Sequence, residues 1–129
     1  MFVFTVGSSA GINSIEPFFT AGPNYYGPNN GTNPCHMKYF LPSNTIYLDG
    51  DTGGSTWNAG STTLGSGGAN LSNSFCTVHA SSSQVQVNGS QVVLSVDVEF
   101  PSVPQTMFLA ADDVQGAVAN FQWFGWWPQ

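Results

Sequence analysis

The chain has 129 residues, room for one domain with a single core, and its composition is lopsided, with 15 Gly, 8 Pro and only 6% charged residues. Seven acids face a single lysine and no arginine, for a formal net charge of −6. One cation cannot neutralise a phosphate backbone or an anionic bilayer, which makes nucleic acid and anionic membrane poor partners and leaves no nucleic acid expected.

Helix formers are scarce, so the expectation is an all-β chain. Phe2–Val6 alternates and predicts a first strand, ended by Gly7-Ser8-Ser9-Ala10-Gly11. Ile15–Ala21 predicts a second, which Pro17 assigns to a sheet edge. Residues 22–34 carry Gly22-Pro23, Gly27-Pro28 and Asn33-Pro34, a long loop displaying Tyr25 and Tyr26. Cys35–Phe40 and Thr45–Leu48 form a hairpin around Leu41-Pro42-Ser43-Asn44, with Cys35, Met37 and Tyr39 on one face. Asp49–Ala69 reads mostly as loop, with Trp57 and Leu64 its large apolar groups.

Ser74–Val78 and Gln84–Val87 are short strands, and Asn88-Gly89-Ser90 turns the chain into its most strongly patterned stretch. From Val92 to Phe100, Val92, Leu94, Val96, Val98 and Phe100 fall on one side at period two, with Val93, Ser95, Asp97 and Glu99 on the other. Such a strand needs a second sheet to cover its apolar face. Met107–Ala111 is another strand, Asp112–Ala119 a turn region, and Phe121–Trp127 closes the chain. About eight short strands punctuated by turns predict one two-sheet β-sandwich spanning residues 1–129.

Cys35 and Cys76 each sit in a strand-like stretch and form either a disulfide or two separate buried thiols; strand context and a secreted-looking composition favour the bridge. No apolar run reaches membrane-span length, so membrane insertion is not expected. Met1-Phe2-Val3-Phe4 lacks the basic flank of a signal peptide, and the expectation is a module excised from a secreted or cell-surface protein.

Read together, Asn33-Pro34-Cys35-His36-Met37-Lys38-Tyr39-Phe40, Ile46-Tyr47-Leu48 and Ser74-Phe75-Cys76-Thr77-Val78 bear a family likeness. With Phe2, Phe4, Asp51, Gly53, Ala110-Ala111-Asp112 and Trp127, the chain resembles an immunoglobulin-like repeat of very large secreted or surface proteins of soil bacteria. The resemblance covers nearly the whole chain. It implies an immunoglobulin-like two-sheet sandwich with one Cys35–Cys76 disulfide and brings no catalytic residues. The Tyr25–Asn30 insertion departs from the pattern, as do Trp123, Phe124 and Trp126, where polar residues are usual.

The candidate chemistry is sparse. Asp97 and Glu99 lie on one polar strand face at a spacing that suits paired carboxylates in glycoside hydrolysis, against the alternative of a solvated face. Asp49-Gly50-Asp51-Thr52-Gly53-Gly54 begins like a calcium loop but fails the EF-hand pattern at Gly53 and Gly60. Asp49 and Asp51 therefore remain only as ligands of a looser structural calcium site, beside the reading of a Gly-rich turn. His36 and His79 join the cysteines as potential zinc ligands, without zinc-finger spacing. An amide cross-link from Lys38 would need that residue in the core, on the face that Cys35 and Met37 occupy.

The aromatic tail is the leading functional feature. Alternation would put Phe121, Trp123, Gly125 and Trp127 on one face and Phe124 and Trp126 on the other, and both faces cannot be core. Trp127 fits closure of the core. Trp123, Phe124 and Trp126, with Tyr25, Tyr26 and Trp57 from loops, form a candidate ligand-binding set, since flat rings suit sugar or protein contacts. The functional expectation is a non-catalytic extracellular module, a structural or adhesive repeat that contacts a protein surface or further copies of itself. The alternative is a carbohydrate-binding module for neutral polysaccharide, with a glycoside-active enzyme behind both.

Overall fold

The computed structural model describes residues 1–20, 35–51, 55–101 and 106–126, with the backbone alone at 106 and 119–126. In chain order the strands are β1 (Phe2–Gly7), β2 (Ile12–Thr20), β3 (Cys35–Phe40), β4 (Thr45–Leu48), β5 (Gly60–Thr63) and β6 (Leu71–Ser72). They continue with β7 (Thr77–Val78), β8 (Gln84–Asn88), β9 (Gln91–Val96), β10 (Val98–Glu99), β11 (Thr106–Asp113) and β12 (Val118–Trp126). A single 3₁₀ turn, Ala80–Ser82, is the helical content among the described residues.

One layer is a six-stranded antiparallel sheet ordered β12-β11-β2-β3-β4-β5. The facing layer holds two three-stranded sheets, β1-β9-β8 and β10-β7-β6. The inward side chains obey the period of two that the sequence predicts. Cys35, Met37, Tyr39, Ile46 and Leu48 from the large sheet meet Phe4, Val92, Leu94, Val96 and Val98 in one core. Edge-to-face contacts of Phe19 with Phe2 and Phe100, at 4.9 and 5.1 Å, pack part of the same core. The protein is an all-β sandwich, and Cys35 of β3 is bonded across the core to Cys76, just before β7, with Cα atoms 5.7 Å apart.

The strand from Val92 to Phe100 is shared between two sheets. β9 ends at Val96 and β10 resumes at Val98. At Asp97 the backbone turns to the 3₁₀ segment instead: its N–H donates to Ser83 Oγ (2.9 Å) and its carbonyl accepts from His79 N–H (2.8 Å). The inward apolar series runs unbroken through this change of partner.

Three local expectations are corrected. Pro17 does not mark an edge, because β2 lies between β11 and β3. The β2–β3 ladder pairs Ile15 with Tyr39 and Phe18 with His36 and lapses at Glu16 and Pro17, so the missing N–H falls in a gap. Gly60–Thr63, expected as loop, pairs with β4 as its edge strand. Ser74–Val78 yields only β7, since Asn73 Oδ1 accepts the N–H groups of Phe75 and Cys76 and curls that backbone away from a ladder.

Candidate functional site

The outer face of the large sheet departs from a simple two-layer pattern. Such a face should be wet, yet Phe18, His36 and Phe108 are buried there. Antiparallel register places them in a row, with Phe108 opposite Phe18 and Phe18 opposite His36. The rings touch, Phe18 lying 5.6 Å from His36 and 6.1 Å from Phe108.

His36 is held from both sides by carboxylates. Its Nε2 lies 2.5 Å from Glu16 Oε1 of β2, and its Nδ1 lies 3.2 Å from Asp49 Oδ2 at the end of β4. Backbone geometry brings Asp49 there, because Asp49 N–H donates to the His36 carbonyl at 2.9 Å. Both ring nitrogens thus lie against carboxylate oxygens. Lys38 Nζ stands 4.0 Å from the other Glu16 oxygen.

Ser55–Trp57 fold back onto the Asp49 carboxylate. The N–H groups of Ser55, Thr56 and Trp57 donate to it at 2.8, 3.0 and 3.1 Å. Ser55 and Trp57 adopt left-handed backbone (φ 54° and 56°), a conformation that aims successive N–H groups at one anion. Burial pushes the Asp49 carboxyl up, but His36 and the N–H groups of Ser55 and Trp57 outweigh it and hold it below the usual carboxylate range. The same loop lays the Trp57 ring 4.8 Å from His36 and 6.2 Å from Tyr47.

This cluster ties the Ser55–Trp57 backbone to Asp49 and His36. Among the described residues no three His, Cys, Asp or Glu side chains are placed to hold a metal ion.

The other sequence candidates are dispersed. The Asp49 oxygens are engaged by the loop and His36, whereas Asp51 accepts from the backbone N–H and hydroxyl of Ser74, so the two do not converge as calcium ligands. Cys35 and Cys76 are consumed by the disulfide, which removes the thiolates that a zinc site would need. Asp97 accepts from Ser82 Oγ at 2.6 Å, while Glu99, largely exposed, meets His79 Nε2 at 3.1 Å. Each of these carboxylates therefore has its own partner.

Trp57 is half-buried and packs on His36 and Tyr47. Tyr25, Tyr26 and Trp127 lie outside the described residues. The backbone of Trp123, Phe124 and Trp126 belongs to β12, with Trp123 opposite Phe108 and Trp126 opposite Thr106. The register shifts between the Met107–Gly125 and Phe108–Trp123 pairs, so the strict period of two read along Phe121–Trp127 is interrupted at Phe124.

The chain matches no family model, no curated protein and no solved structure. The Glu16–His36–Asp49 cluster was not foreseen in the sequence. Its one advance signal was Phe18, a large apolar residue at the alternation position shared with Glu16.

Proposed function

We propose that the chain is a non-catalytic extracellular module, an immunoglobulin-like structural or adhesive repeat that associates with further copies of itself. The observation that carries this reading is the Cys35–Cys76 bridge, which joins the two layers through the centre of the core. Such a bond persists in oxidising compartments. The ionisable groups support the same reading. Asp49, Glu16 and His36 brace a loop, and Asp113 accepts from Ser8 Oγ and from the N–H groups of Gln115 and Ala117 to close the β11–β12 turn. No helix among the described residues is long and apolar enough to cross a membrane.

The test is a screen of the oxidised protein for glycoside turnover, beside polysaccharide pull-down and light scattering. The module reading expects no turnover and a size that grows with concentration. Hydrolysis abolished by Asp97→Asn or Glu99→Gln would overturn it in favour of an enzyme. Polysaccharide retention at unchanged size would replace it with the carbohydrate-binding alternative.

A further inference from the structure

The geometry points to β8 as the edge through which two copies of this chain join, by antiparallel strand addition about a two-fold axis at Gln86; this rests on the self-associating module reading above. β8 ends its sheet in the order β1-β9-β8, and its only ladder among the described residues is with β9. A free edge is normally blunted by charge, proline, a bulge or a cover. Gln84-Val85-Gln86-Val87-Asn88 has no charged residue and no proline, its register with β9 is regular, and four of its five residues are exposed.

The turn that follows sets which main-chain groups face outward. Gly89 sits at φ 62°, as the first central residue of a two-residue II′ hairpin requires. In such a hairpin the flanking residues Asn88 and Gln91 exchange hydrogen bonds, and the alternation assigns Gln86 and Gln84 to β9 as well. Val85 and Val87 are left presenting N–H and C=O to the open side.

A second copy laid antiparallel on this edge meets a matching set. With Gln86 opposite Gln86, Val85 of one copy faces Val87 of the other, and about four main-chain hydrogen bonds form across the axis. The two faces then sort themselves. Val87 shares the inward side with Val92 and Leu94 yet is 54% exposed. Pairing covers it with the Val85 of the other copy and sets amide against amide on the outside.

Charge favours this edge as the meeting point. Two copies at net −6 repel, but the outward side chains Val3, Thr5, Gln84, Gln86, Val93 and Ser95 of this sheet are all uncharged. The nearest acid along β9, Asp97, lies beyond the last β8 pair and is held by Ser82. A five-residue strand pair buries less than the roughly 1,000 Å² of a stable interface, so the contact is weak between free copies and gains strength where copies are linked. Raising salt strengthens it, by screening the net repulsion.

The experiment is sedimentation of the oxidised full chain from micromolar to millimolar concentration, for wild type, Gln86→Lys, Gln86→Glu and their equimolar mixture. Melting temperatures check that each variant is folded. Expected is a reversible wild-type dimer, a dimer Kd raised roughly tenfold or more in each variant alone, where like charges sit face to face, and recovery in the mixture. Amide exchange at Val85 and Val87 in the wild type should slow as concentration rises, a readout that needs no variant. A wild type that stays monomeric at millimolar concentration, or Val85 and Val87 amides indifferent to concentration, overturns the proposal. Association unaltered by either variant also overturns it while leaving a self-associating module intact, and glycoside turnover would unseat the module reading without bearing on the edge.

Discussion

At the scale of single residues, buried polar groups set the largest expected effects. Replacing Asp49 by Ala leaves His36 facing one carboxylate and three loop N–H groups without their acceptor. The cost should be about 3 kcal/mol by chemical denaturation. Because the Asp49 carboxyl titrates below its unfolded value of 3.8, its contribution is present above that pH and is lost as pH falls through the lower folded value. Asp49→Asn should therefore flatten the acid limb of stability below about pH 4, read by melting temperature against pH. Tyr39 reports at the other end of the scale. Burial pushes its phenol from 10.0 up to about 12, so its contribution is whole below pH 10 and falls away as pH rises through about 12. Tyr39→Phe should abolish that alkaline loss while costing about 1 kcal/mol at neutral pH, since the hydroxyl donates to Asn44 Oδ1.

At the scale of elements, turns and close approaches decide more than strand propensity does. Asn44 takes a left-handed conformation (φ 48°) at the end of the β3–β4 turn, and its side-chain amide donates to the Leu64 carbonyl at 3.1 Å. One residue thereby ties the hairpin to the segment after β5. Gly68 lies where that segment crosses itself: a Cβ there would overlap the Thr63 carbonyl oxygen and crowd Ala80 Cβ at 3.0 Å. Backbone cannot yield as a flexible side chain does, so Gly68→Ala should destabilise by about 1–3 kcal/mol in urea unfolding. Strand existence was readable in β1, β3, β4, β9 and β11, and the inward faces from the period of two in β1, β3 and β9. β5 was not, because Gly60-Ser61-Thr62-Thr63 has no apolar contrast and is a strand only because β4 offers it a ladder.

At the scale of the whole molecule, the disulfide closes a loop with a sequence separation of 41 and joins the layers through the core. Removing it with Cys35→Ala and Cys76→Ala together should cost about 4 kcal/mol on the chain-entropy account, with reduction of the wild type having a comparable effect. Equilibrium denaturation with and without reductant measures this. The fold class and the inward residues of the Val92–Phe100 stretch were determined by the sequence itself, because alternation and composition are local properties that a strand reads one residue at a time. The central position of Pro17, the transfer of Val98 to a second sheet and the burial of His36 between Glu16 and Asp49 were decided only by tertiary structure. Each depends on which strand lies alongside, and residues 20 or 13 positions apart meet only once that neighbour is chosen. The uncharged edge at β8 is of the same kind: Gln-Val-Gln-Val is an ordinary strand in the sequence, and only the sheet order places it at an edge among the described residues.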